Sequence, residues 1–234
     1  CIAAGCPVIY KPALSTPLVS KEIIKLLFKA GLPQEWCTHL ICDNETTAYL
    51  AQSNLIRYIS FIGSCNIGWS IKQKMAAGVK ITLEHGGTAP VIVAKDGDLK
   101  KAVPQIANSG FYHAGQVCVS AQKIYVHKDI IDSFISQLNN EVQLKKIGNP
   151  LNEKTLIGPI ISKSSLDRID NWVQEAIDEG ATLICGGNKL QNNCYEPTIL
   201  LNPSPNSQVS KEEIFGPVIC IYSFEENEEA IRLA

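Results

Sequence analysis

Residues 57–84 read Arg57-Tyr-Ile-Ser-Phe-Ile-Gly63-Ser64-Cys-Asn-Ile-Gly-Trp-Ser-Ile-Lys-Gln-Lys-Met-Ala-Ala77-Gly78-Val-Lys-Ile-Thr-Leu83-Glu84. Arg57 to Ile62 is a short run rich in β-branched and aromatic residues, which reads as a strand. It runs into Gly63-Ser64, and a helix is expected from about Asn66 to Ala77, stopped by Gly78. Val79 to Leu83 is then a further strand. Strand, helix and strand in succession point to an α/β protein with parallel strands. In such sheets ligands bind where the strands end, which directs attention to the Gly63-Ser64 turn.

The same rhythm extends both ways. Upstream, Pro7 to Tyr10 reads as a buried strand, Thr16 as an N-cap and Pro17 as the first helical residue. Leu18, Val19, Ile23, Leu26, Leu27 and Ala30 recur at helical spacing, and Gly31 ends that helix. Downstream, strands are expected at Val91–Ala94, Lys123–His127, Ala181–Cys185, Thr198–Leu201 and Pro217–Phe224. Helices are expected over Leu99–Tyr112, from an Asp129 cap to about Leu144, from Ser162 or Ser164 to Gly180, and from Glu225 onward. Asn202 to Asn206 is a loop by its turn residues.

Composition narrows the function classes. The chain has 234 residues, 45% hydrophobic and 19% charged, with a net charge of −2. That balance offers no electrostatic case for nucleic acid or an anionic membrane as partner. Its apolar runs are broken well short of a membrane span. The nine cysteines are scattered without a Cys-x-x-Cys, so neither a disulfide framework nor a metal site is expected. Most of these thiols read as small packed hydrophobes in a reducing, cytoplasmic compartment.

Five segments carry the chemistry. They are Cys6-Pro-Val-Ile-Tyr-Lys11-Pro-Ala, Phe61-Ile62-Gly63-Ser64, Leu83-Glu84-His85-Gly86-Gly87, Gly115-Gln116-Val117-Cys118 and Glu212-Glu213-Ile214-Phe215-Gly216-Pro217. In order and approximate spacing they resemble the signatures of the aldehyde dehydrogenase superfamily along the whole chain. The resemblance implies an α/β fold of that type. Residues 1–85 would be a partial, parallel-sheet NAD(P)-binding domain and residues 86–234 an α/β catalytic domain, incomplete at its C-terminus.

Each residue has a role implied by that resemblance and a plainer alternative. Cys118 is the implied nucleophile; a catalytic thiol must be partly exposed to act as thiolate, whereas most single cysteines are inert and buried. Glu84, at a strand end before two glycines, is the implied general base; alone it would read as a surface carboxylate. Lys11, Gly63 and Ser64 are implied to hold NAD or NADP, Ser64 at a helix N-terminus that favours phosphate. Plain N-capping explains Ser64 equally. Glu213 is implied to bond the nicotinamide ribose and Phe215 to shape that pocket; otherwise they are a surface acid and a core aromatic. The implied reaction oxidises an aldehyde to an acid through a thiohemiacetal and a thioester on Cys118. A non-catalytic remnant and a coenzyme A-acylating relative are the alternatives, and Glu84 argues against the latter.

Three positions depart from the pattern. His85 stands where the family usually has Leu and reads as a packing variant. Ile62 replaces the usual Thr, a mild change. Leu14 stands where many NAD-preferring members have a Glu that repels a 2′-phosphate, which leaves NAD against NADP open. The chain is also expected to lack upstream strands, an Asn of the oxyanion hole and a downstream oligomerisation strand. The complete protein is then expected to be a homo-oligomer, and these residues alone a poor catalyst.

Overall fold

The computed structural model describes residues 1–234. They divide into two compact units, Cys1–His85 and Gly86–Ala234.

The first unit contains two strand–helix–strand modules. β1 (Val8–Tyr10) pairs in parallel with β2 (Cys37–His39), with α1 (Pro17–Lys29) between them in the chain. After α2 (Asn44–Ala51), β3 (Tyr58–Ile62) pairs in parallel with β4 (Lys80–Glu84), with α3 (Cys65–Lys74) in between. The residues 57–84 thus form the expected module. Thr16 is the N-cap of α1 by position, but its hydroxyl makes no capping bond. The expectation of a buried first strand is corrected: Ile9 is 45% and Tyr10 46% exposed. β1 is three residues long and has β2 as its only neighbour, too little surface to cover its side chains. β2 and α2 carry no usable periodicity. A three-residue strand shows no alternation, and α2 is held by its cap, the Asp43 carboxylate accepting the Thr46 N–H at 2.8 Å.

The second unit is built on a five-stranded sheet of order β5-β6-β9-β8-β7. The strands are β5 (Val91–Val93), β6 (Lys123–His127), β7 (Thr182–Cys185), β8 (Thr198–Leu201) and β9 (Val218–Phe224). All ladders are parallel except β7 with β8, which is antiparallel, a mixed pattern common where an edge strand closes a parallel sheet. Four helices of the expected kind follow: α4 (Leu99–Phe111), α5 (Ile131–Gln143), α6 (Lys163–Asp178) and α8 (Asn227–Leu233), with a single turn, α7 (Gln208–Lys211), before β9. α5 buries Phe134, Leu138 and Val142, and α6 buries Leu166, Ile169, Val173 and Ala176. Steps of three and four residues put each set on one face. These faces and the strands share one core with Phe111, Ile124, Ile199 and Ile221, where each buried large apolar side chain contributes about 1.5–3 kcal/mol. Ser162 caps α6 through its hydroxyl, which accepts the Ser165 N–H at 3.1 Å. Asp129 does not cap α5, whose N-cap is Ile130; its carboxylate instead lies 2.6 Å from Lys95 Nζ.

No helix is long and apolar enough to cross a membrane.

Candidate active site

The segment carrying Cys118 leaves α4 through an unusual turn. His113, Ala114 and Gly115 have φ of 49°, 57° and 67° in succession. Left-handed backbone costs a residue with a Cβ roughly 1–2 kcal/mol, so His113 and Ala114 hold this shape only because the surroundings fix it. Gly115 must be glycine for a second reason. A Cβ there would overlap the Gly216 carbonyl oxygen, so the turn is packed directly onto the Gly216–Pro217 backbone. Beyond it, Cys118 is exposed, with a free thiol. Its backbone N–H donates to no acceptor in the protein.

The other thiols of this unit differ. Burial pushes Cys185 up to about 11 and Cys220 up to about 12, and it also raises Cys194. Such thiols stay protonated at neutral pH and are poor nucleophiles.

The loop before β9 supplies Glu213 and Phe215. Glu213 folds back over Gly86, where a Cβ would overlap its carboxylate. Its Oε1 is buried with no hydrogen-bond partner. Burial holds the carboxyl above the usual range, while the Gly87 N–H and the Arg168 guanidinium pull it back down. Arg168 also donates to the Ile214 carbonyl at 2.7 Å and lies over the Trp172 ring, 4.4 Å from its centroid. Phe215 is half-exposed, with φ of 50°. Gly87, Gly115, Val117, Glu213 and Phe215 line one crevice, so this unit brings Glu213 and Phe215 to the turn that carries Cys118.

Lys11, Gly63, Ser64 and Glu84 belong to the first unit. Glu84 ends β4 and is exposed; its carbonyl accepts the Gly63 N–H at 3.2 Å, which sets it beside the Gly63-Ser64 turn. Ser64 begins α3 with its hydroxyl unused by the cap. Lys11 follows β1, on the other ladder. His85 packs edge-on against Trp69 and Phe61, with ring centroids 5.7 and 6.5 Å apart. No group of three or more His, Cys, Asp or Glu side chains could hold a metal ion.

Three further side chains shape the second unit's site: Gln116, Gln122 and Arg168. Gln116 lay in view within the Gly-Gln-x-Cys segment, unassigned. Gln122 and Arg168 gave no signal, because their partners are backbone groups on distant loops.

Comparison with known proteins agrees with this architecture. The sequence profile of the aldehyde dehydrogenase family matches residues 1–234. The chain is 38% identical over 232 residues to 3-sulfolactaldehyde dehydrogenase of Priestia megaterium, covering 98% of this chain and 48% of that protein. It is 35% identical to succinate-semialdehyde dehydrogenase [NADP(+)] GabD of Escherichia coli, covering 100% and 49%. Among solved structures, betaine aldehyde dehydrogenase from Staphylococcus aureus in complex with NAD+ superimposes with a TM-score of 0.93 at 32% identity, over 99% of this chain and 48% of that one. The chain thus spans about half the length of these relatives. With the match unbroken from the first residue to the last, the chain belongs to the aldehyde dehydrogenase family.

Proposed function

We propose that this chain carries the nucleophile and the general base of an NAD(P)-dependent oxidation of an aldehyde to a carboxylic acid. One observation carries most of the weight. Cys118 is an exposed thiol just beyond a strained turn packed onto the Gly216–Pro217 backbone, whereas Cys185, Cys194 and Cys220 are shielded by burial.

In this reading the Cys118 thiolate adds to the carbonyl carbon, and the carbonyl electron pair moves onto oxygen. The free Cys118 N–H is one donor for that oxyanion. The nicotinamide ring, when bound, supplies the hydride acceptor that turns the thiohemiacetal into a thioester. Glu84, exposed at the end of β4, takes a proton from water, the resulting hydroxide adds to the thioester, and the thiolate leaves.

The residues present suit a dinucleotide. Glu213 lines the crevice beside Gly115, Val117 and Phe215, and its carboxylate supplies an acceptor for a ribose hydroxyl. Ser64 presents a free hydroxyl at the start of α3, and Lys11 adds a cation at a strand end. Leu14, 54% exposed, brings no charge against a 2′-phosphate, which supports use of both NAD and NADP. Relatives named for NADP(+) and a neighbour complexed with NAD+ are consistent with that breadth. Small aldehydes as substrates, a homo-oligomer as working form and the cytoplasm as location rest on the family resemblance and on the nine unpaired thiols.

The test is a pair of substitutions. Cys118→Ala should abolish turnover while leaving cofactor binding intact. Glu84→Gln should give a burst of NAD(P)H followed by steady turnover slowed about 10²–10⁴-fold. Steady turnover by Cys118→Ala would sink the proposal.

A further inference from the structure

Two glutamines that the proposed reaction does not use bracket the nucleophile, and each commits its side-chain amide to a different loop. Gln116 Oε1 accepts the Ile161 N–H at 2.9 Å, and its Nε2 donates to the carbonyls of Pro159 at 3.2 Å and His113 at 3.3 Å. Bonding the carbonyl of one residue and the N–H two further on is what a neighbouring strand would do. One side chain therefore ties the left-handed turn at His113–Gly115 to the 159–161 segment. Gln122, buried at 5% exposure, grips the other loop. Its Oε1 accepts the Ile214 N–H at 2.8 Å, and its Nε2 donates to Glu212 at 2.8 Å and Val209 at 3.1 Å. The first two of those groups lie directly before and after Glu213.

We infer that Gln116 and Gln122 are positioning residues with separate targets: Gln116 fixes the turn that presents the Cys118 thiol, and Gln122 fixes the backbone that presents the Glu213 carboxylate. This rests on the reading of Cys118 as nucleophile and Glu213 as the cofactor-facing acid. The physical need is clear at both ends. The His113–Ala114 backbone is held in a conformation it would leave if released. The Glu213 side chain is aimed by a loop whose Glu212 carbonyl and Ile214 N–H, on either side of it, both find their partner in the Gln122 amide. Neither amide touches the reacting atoms, so each acts through another residue.

The separation of targets is what the experiment reads. Gln116→Met and Gln122→Met keep chain length and remove the hydrogen bonds. Each full chain is assayed three ways: the NAD(P)H burst rate, the dissociation constants of NAD⁺ and NADP⁺ by calorimetry, and the rate of Cys118 alkylation by iodoacetamide without cofactor. Gln116→Met should slow the burst about 10- to 100-fold, the scale of a small misplacement of a reacting group, with cofactor affinity within about twofold. Gln122→Met should weaken both cofactors about tenfold, the effect of roughly one lost hydrogen bond, with Cys118 alkylation unchanged. If Gln122→Met cannot be purified, Gln122→Asn, which keeps the amide but withdraws it by one carbon, is used in its place. General loosening of the fold would move all readouts together in both variants, and that result overturns the inference, as does no change in either. Cys118→Ala and Glu213→Gln run alongside. If Cys118→Ala still turns over aldehyde, the proposed function fails first; if it is inactive while the two glutamine variants behave alike, only the inference fails.

Discussion

Residues 1–85 and 86–234 follow the same strand–helix–strand rule, yet they bury very different amounts. In the second unit α4, α5 and α6 share one core with the strands, and Phe111, Phe134 and Leu138 are completely covered. In the first, Ile24, Cys37, Ala51 and Val79 are the buried apolar residues, while α1 leaves Leu18 71% and Leu26 63% exposed. Parallel strands are ordinarily covered on both faces, and two-stranded ladders are marginal by themselves. A helical pattern specifies which face is apolar; it does not specify what lies against that face. The candidate site divides along the same line. Cys118, Glu213 and Phe215 sit on the densely packed unit, and Lys11, Gly63, Ser64 and Glu84 on the thinly packed one.

The largest expected effect exploits that contrast. Phe134→Ala should cost about 3–5 kcal/mol of stability, since its whole ring is removed from a packed core. Ile24→Ala should cost about 2 kcal/mol, the lower end for such a truncation, because thin surroundings collapse more easily. Urea unfolding of the two variants measures both. Equal losses would break the comparison and show the first unit to be as tightly packed as the second.

The smallest expected effect lies inside the denser unit. Burial raises the Glu213 carboxyl above its ordinary range. A raised acid stabilises the fold fully below its unfolded value, and that contribution is lost as pH rises through the folded value. Near pH 7 the charged form is therefore a penalty. Glu213→Gln should raise the thermal midpoint slightly near pH 7 and have less effect toward about pH 4, the unfolded carboxylate range. A shift of the same size at both pH values would mean that packing, not charge, is responsible.

Much of this was legible in the sequence, for identifiable reasons. The helices α1, α4, α5 and α6 announce themselves by apolar steps of three and four, and Pro17, Gly31 and Ser162 mark ends. Strands such as β6 and β8 are compact β-branched runs. The first strand looked buried because its composition is that of a core strand, but burial depends on neighbours that composition does not encode. β7 was expected as a strand over Ala181–Cys185, but its antiparallel direction was hidden because side-chain alternation carries no strand direction. At the site, Cys118, Glu84 and Glu213 were proposed by motif. Gln122 and Arg168 were not, since a side chain that bonds distant backbone has no local spacing to betray it. Gly115, three residues before Cys118, was visible as a glycine, but its steric reason, the Gly216 carbonyl against it, exists only in the fold.

Cys118 is proposed as the reactive thiol because of its setting, not merely because it is exposed. Cys1, Cys6 and Cys65 are exposed too, so exposure alone offers a direct control. The full chain is treated with a limiting amount of a thiol-reactive aldehyde analogue, digested, and each cysteine-bearing peptide quantified by mass spectrometry. Cys118 should take up most of the label. Label spread over Cys1, Cys6, Cys65 and Cys118 in comparable amounts would contradict it.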